Sequence, residues 1–288
     1  MRDGSSGDGP LEALAGLEAL GRLPGVAQAQ DNARKACTQL RWHEGLRRRS
    51  AEAGAESRVR GAHASAGLEG ANVDLASVRD RMRGTLPWPH DPDPVLAVLR
   101  GAVQATAEAE RLVPLLSTAP LQALARLHVA AAAPLLPAEQ LGRPRRTDEV
   151  CRELTDLGPP PPARLVGDGL RGVTQLVLAA SGSAVVAGAV VHAELSQLRP
   201  FVAGNGVVAR ALDRALLQAS GLDPTGVAVA ESGHLRQGGT AYRGALAAYG
   251  TGSREGVATW IVHWAEAIAY GAEQGQRVAD AVLAGRLG

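Results

Sequence analysis

The chain has 288 residues, a formal net charge of +1 and an apolar share of 45%, yet only 3% of it is aromatic. At about 150 residues per domain, the length suits one large domain or two small ones. The balanced charge excludes a basic nucleic-acid coat and an acidic tail, because counterion release at phosphates needs clustered excess Lys and Arg. With four Trp, three Tyr and one Phe, the core must be built from Ala, Leu and Val, which favours closely spaced helices over a sheet sandwich. The expected fold class is all-α.

Among 30 basic residues only Lys35 is a lysine, which excludes lysine-dependent phosphate loops and Schiff-base chemistry elsewhere. Cys37 and Cys151 stand far apart with no C-x-x-C or Cys/His spacing, so neither a zinc site nor a disulfide framework is indicated, no metal ligands are expected, and a reducing cytoplasm is the default.

In chain order, residues 1–27 open acidic and Gly/Ser-rich and read as a weakly structured tail, not a signal peptide. Helical periodicity predicts one helix from Gln28 to about Gly54, a second from Glu56 to Leu68, and a short one from Asp74 or Leu75 to Gly84. Four prolines between Thr85 and Pro94 forbid helix interior and mark the boundary between N-terminal helices (28–90) and a main domain (95–285). Helices are expected at Val95–Val113 and Pro120–Ala133. Residues 134–162 turn polar and proline-rich, a loop long enough to be functional or mobile. Helices resume at Ala163–Ala180, Ala184–Leu198, Gly206–Ser220, His234–Tyr249 and Ser253–Leu283. Val173 to Val191 carries no charge, but its Ala, Gly and Ser content and the break at Ser181-Gly182-Ser183 suit two buried helices better than a membrane span. No alternating apolar run predicts a strand.

The chemistry-bearing segment is Arg199-Pro-Phe-Val-Ala-Gly-Asn-Gly-Val-Val-Ala-Arg210. Pro200 ends one apolar helix, and Gly204-Asn205-Gly206 supplies residues tolerant of positive φ just before the next. Successive backbone N–H groups at such a turn, backed by the positive end of a helix, form an anion nest suited to phosphate, with Arg210 one turn further on. A bare structural turn is the alternative reading of that motif.

The segment resembles the signature of the Fic (Fic/Doc) family, His-Pro-Phe-x-[Asp/Glu]-Gly-Asn-Gly-[Arg/Lys]-x-x-Arg, with Pro200, Phe201, Gly204, Asn205, Gly206 and Arg210 in register. Ser65-Ala-Gly-Leu-Glu69-Gly70 is similar to the Ser/Thr-x-x-x-Glu-Gly inhibitory motif of members whose autoinhibitory helix precedes the core. Leu127-His128, the Gly142–Arg146 segment ahead of the target-binding flap, and the tail of Tyr242, Leu246, Tyr249, Trp260, Ile261 and Trp264 are also similar. The resemblance implies an all-α Fic-fold bundle with an N-terminal helical segment and a flap loop, binding a nucleotide triphosphate. In active members the motif histidine deprotonates a target hydroxyl, the acidic residue holds Mg²⁺, the Gly-Asn-Gly turn cradles phosphates and two arginines clamp them. The inhibitory glutamate pairs with the second arginine. Phe201 is implied as the anchor of the active-site loop on the core.

The sequence departs from that pattern at three catalytic positions. Arg199 stands at the histidine, and a guanidinium with a pKa above about 12 is no general base near neutrality. Ala203 stands at the metal-binding carboxylate and offers no oxygen. Val207 stands at the first arginine. Acid–base help is worth about 10²–10⁴ in rate and charge stabilisation a comparable factor, so little AMP transfer is expected. His192 lies about 10 Å along the helix from Arg199, too far to replace the missing base, and His128 and Glu194 cannot be placed from sequence. Ser65, Glu69 and Gly70 read either as an inhibitory clamp on Arg210 or as a structural bridge to the N-terminal helix. The arginines at 47–49 and 143–146 would suit a nucleic acid or an acidic partner, but with Glu44, Glu52, Asp148 and Glu149 nearby they read as solvated helix faces or local pairs, the second set at the start of the flap.

The expectation is a catalytically degenerate Fic-domain protein that binds nucleotide or phosphate and acts in regulation or interaction. The alternative is a non-standard AMP, nucleotidyl or phosphoryl transferase autoinhibited by Glu69. The cofactor left open is ATP or another nucleotide held without metal. The partner classes left are a protein target at the 134–162 loop and a homodimer; nucleic acid and membrane are not expected.

Overall fold

The computed structural model describes residues 10–180 and 184–286. Residues 1–9 of the expected tail and the expected break at 181–183 lie outside the described residues. Among those described there are twelve α-helices and no strand, as the apolar spacing and scarcity of large rings require. No described helix is long and apolar enough to cross a membrane.

The segment expected as a weakly structured tail is helical from Pro10: α1 spans Pro10–Gly21 and buries Leu17. The single helix expected over 28–54 is two, α2 (Val26–Arg41) and α3 (Leu46–Leu68), and the second absorbs the helix expected from Glu56. The break at 42–45 has a long-range cause. A Cβ on Gly45 would stand 2.4 Å from the Ala279 carbonyl, so the chain turns where it meets the last helix, and His43 Nδ1 accepts the Gly45 N–H at 3.1 Å. Helix α3 ends at Gly70, whose φ of 83° lets Ala71 N–H return to the Ala66 carbonyl at 2.9 Å, a left-handed glycine cap.

Helix α4 (Leu75–Arg83) is capped by Asp74, which accepts the Ser77 N–H, and closed by Gly84 at φ 79°. Across the proline-rich stretch, Asp93 caps α5 (Pro94–Leu112) with proline at its first position, where a missing N–H is harmless. Helices α6 (Pro120–Ala132), α7 (Val166–Ala179) and α8 (Ala184–Leu198) follow, with only short 3₁₀ turns between Ala133 and Val166. Helix α9 spans Asn205–Ala219. The helix expected at 234–249 is split at Gly238 (φ 95°) into α10 (Ala230–Gln237) and α11 (Gly239–Gly250). Helix α12 runs Arg254–Leu283 behind a Ser253 cap.

Helix α12 is the spine, lying along α2 and against α3, α8, α10 and α11, while α9 is sandwiched by α5, α6 and α8. The N-terminal helices and the rest therefore share one hydrophobic core. Helix α9 is buried almost along its full length, Arg210, Asp213 and Arg214 included, so the chemistry-bearing segment stands at the centre of the bundle.

Candidate functional site

The turn from Arg199 to Asn205 joins α8 to α9. Gly204 (φ 83°) caps α9, the left-handed conformation in which glycine is free of the Cβ penalty. Asn205 ties the turn to itself: its Oδ1 accepts the Phe201 N–H and its Nδ2 donates to the Phe201 carbonyl, each at 3.0 Å. The Phe201 ring stacks on His128 with centroids 3.9 Å apart and planes 5° from parallel. The loop anchor implied for Phe201 thus has a named partner, and His128 is placed: its Nδ1 accepts the Gly142 N–H at 3.0 Å. Burial pushes the His128 pKa down to about 4.

The amides expected to form an anion nest are taken by a carboxylate of the chain itself. The Glu153 carboxylate, from the 134–162 loop, accepts Gly204 N–H at 2.6 Å, Asn205 N–H at 2.9 Å and Asn205 Nδ2 at 2.8 Å. Burial, then the nearby Glu69 charge, push its pKa up against the pull of these donors. Glu153 is the residue that sequence reasoning missed. Its only signal was an acidic side chain in a loop next to a turn built to receive an anion.

Arg210 is 1% exposed and fully engaged. It donates from Nη2 to Glu69 Oε1 at 2.6 Å and to the Ser65 carbonyl at 3.1 Å, and from Nε to Ser65 Oγ at 3.0 Å. Burial opposes its charge, but the Glu69 carboxylate and Tyr242 hold its pKa above the ordinary arginine range. Gly206 makes room for this pair, since a Cβ there would fall 2.3 Å from Glu69 Oε1. Ser65, Glu69, Gly206 and Arg210 therefore meet at one point, although 141 residues separate the two charges.

Arg199 does not join them. With φ 42° at a non-glycine position, a sparsely populated region, it turns into the flap. Its Nη1 donates to the carbonyls of Leu154 (3.2 Å) and Gly158 (2.8 Å). Burial and then Arg145 depress its pKa from the ordinary arginine value. Arg145 is itself buried and donates to the carbonyls of Arg199 and Pro161. The positive charges of Arg199 and Arg145 are therefore spent on backbone carbonyls. Val207 packs in the core at 4% exposure. Arg143 forms a local pair of the expected kind, gripping Glu149 through two contacts of 2.7 Å. Of the other candidates, His192 is bound to Asp213 and Tyr242, and Glu194 accepts the Tyr249 hydroxyl. Tyr242, Leu246, Trp260, Ile261 and Trp264 are core residues.

No protein-family model and no curated protein matches the chain. Solved structures do. A Fic family protein from Desulfovibrio desulfuricans G20 superposes with a TM-score of 0.59 at 18% identity, covering 95% of this chain and 76% of that one. A Fic domain containing signaling protein from Bacteroides thetaiotaomicron gives 0.66 at 11% identity, covering 88% and 98%. Fic-1 (residues 134–508) from C. elegans gives 0.59 at 16% identity, covering 96% and 83%. At these identities the likeness concerns the backbone: the chain has the all-α Fic fold.

Proposed function

We propose that this Fic-fold chain is a catalytically degenerate, regulatory or interaction protein whose phosphate turn is closed from within, and that it takes a nucleotide or phosphate only when the flap carboxylate leaves. The observation that carries this reading is Glu153 seated on the Gly204 and Asn205 amides, where a phosphate oxygen would accept the same bonds.

The chemistry of AMP transfer lacks its parts. Arg199 holds loop carbonyls and has no lone pair to take a proton from a hydroxyl. The magnesium ion implied by the fold family does not fit the residues present: Ala203 supplies a methyl group, and both Glu153 oxygens already accept N–H donors. The remaining arginine of the clamp, Arg210, is neutralised by Glu69. What persists is a set of amides able to hold an anion, and a flap that both covers it and presents the 134–162 loop to a partner protein.

Titration calorimetry with ATP, ADP and AMP, with and without Mg²⁺, on the wild type and on Glu153→Ala tests this reading. The expected result is binding that tightens at least about tenfold in the variant, the factor matching one lost charge-assisted competitor of about 1.4 kcal/mol, and that does not depend on Mg²⁺. Absence of heat in both proteins would remove nucleotide from the reading and leave the protein-interaction role.

A second reading, residual transfer held in check by Glu69, draws on the intact Glu69–Arg210 pair. It requires Glu69→Ala to label itself or another protein from α- or γ-labelled ATP. We expect no label.

A further inference from the structure

Beneath the phosphate turn, five helices (α8 to α12) converge on a buried polar cluster that the reading above leaves unused. His192 Nδ1 lies 2.6 Å from Asp213 Oδ2, and its Nε2 lies 2.7 Å from the Tyr242 hydroxyl. Trp264 Nε1 donates to the same Asp213 oxygen at 3.1 Å. His192, Asp213 and His234 are at most 1% exposed.

The other valences in this cluster are unmet. Both ring nitrogens of His234, the second Asp213 oxygen and His263 Nε2 are buried without a hydrogen-bond partner. Buried polar atoms are normally paired, because stripping them of water without replacement is strongly unfavourable. A neutral His234 ring keeps a proton on one nitrogen and a bare lone pair on the other, so that lone pair and the second Asp213 oxygen are buried acceptors without a donor, which a cation can serve. One ligating atom each from His192, Asp213 and His234 already lies within 4.8 Å of the others.

We infer that His192, Asp213 and His234 form a binding site for a divalent zinc-type ion. Two imidazoles and one carboxylate are a donor set that zinc accepts, with a fourth position open to water. Ligand atoms around tetrahedral zinc stand about 3.3 Å apart, as follows from metal–nitrogen distances near 2.0 Å, so the triangle closes by small side-chain rotations. The ion replaces the proton shared by His192 Nδ1 and Asp213 Oδ2, which leaves to solvent. Arg210, which shares the Tyr242 hydroxyl with His192, is offset by Glu69, and Asp213 supplies negative charge to the site. The ion would fasten α8, α9 and α10 to one another and would be structural.

Elemental analysis of tag-free protein, dialysed first against zinc and then against metal-free buffer, tests this. The expected result is about one zinc per chain in the wild type and none in His234→Leu, with visible absorption bands when cobalt replaces zinc. Thermal unfolding of the wild type gives a readout that does not depend on the variant folding. Zinc at about a hundred times its dissociation constant should raise the midpoint by on the order of 5 °C, and a chelator should reverse this. A wild type that retains no stoichiometric metal and whose midpoint ignores zinc and chelator overturns the inference, as does zinc retained equally by His234→Leu. Neither result bears on nucleotide binding.

Discussion

His128 supports the turn by lying flat on Phe201, and it can do so only as a neutral ring. Its Nδ1 takes the Gly142 N–H, which leaves the proton on Nε2 toward the Ala203 carbonyl without a well-formed bond. The unfolded chain takes up a second proton near the ordinary histidine value of about 6.5, whereas the folded chain resists until about 4. Protons therefore favour the unfolded state throughout that window. The stability His128 carries is complete above about pH 6.5 and is lost by up to about 3 kcal/mol as the pH falls to about 4. His263 behaves in the same direction, while Glu153 and Asp213, whose pKa values are raised, oppose it. Urea unfolding at about pH 7 and about pH 4.5 should show a smaller acid loss in His128→Gln than in the wild type, even though the variant starts less stable. Equal losses would mean that His128 is not held neutral. The same residue scale explains Arg199. A histidine there would gain a proton acceptor, but the two flap carbonyls of Leu154 and Gly158 that Arg199 now holds would lose their donor.

At the scale of elements, α3 and α9 are joined by one ion pair. Glu69 is one-fifth exposed and Arg210 is sealed, so removing the carboxylate leaves a buried guanidinium with only Ser65 and Tyr242. Glu69→Ala should lower stability by about 3 kcal/mol, the usual outcome of breaking a buried pair on one side, and urea unfolding measures it. Gly206→Ala offers a gentler version, because the intruding methyl meets the ends of the Glu69 and Arg210 side chains rather than backbone; it should weaken the fold by less. This pairing was legible in the sequence only through the resemblance of Ser65–Gly70 and of Arg199–Arg210 to the Fic motifs, which implied it. Also legible were some termini set by local chemistry, the start at Asp74 and the stop at Gly84, whereas α5 begins at Pro94 behind an Asp93 cap, one residue before the expected Val95. The breaks at Gly45 and Gly238 were not legible. Nothing beside Gly45 in the chain announces the Ala279 carbonyl that forces the turn. Glu153 escaped for the same reason, since the path of a loop of some thirty residues with no regular period decides which of its acids reaches the nest.

For the whole molecule, the scarcity of aromatic rings is answered by backbone approach. Glycines stand where helices touch: a Cβ on Gly101 of α5 would lie 2.0 Å from the Ala131 carbonyl of α6, and one on Gly233 of α10 would lie 2.1 Å from the Ala267 carbonyl of α12. Such contacts replace the bulk that large side chains would provide, and they leave no room for a methyl group. Gly244 in α11, by contrast, has nothing within 4 Å of its missing Cβ and keeps a negative φ. Alanine is intrinsically better than glycine in a helix by about 1 kcal/mol, so sequence propensity alone ranks Gly101→Ala and Gly244→Ala as equal improvements. Packing reverses one of them. Gly101→Ala must push α5 and α6 apart along the wall that backs the Gly204 turn, where overpacking of about 1–3 kcal/mol outweighs the propensity gain. Gly244→Ala should instead raise stability by about 0.5–1 kcal/mol. Denaturant midpoints of the two variants against the wild type measure both signs. If both rise, the helices are looser than these distances require, and close approach is not what holds the Fic bundle together here.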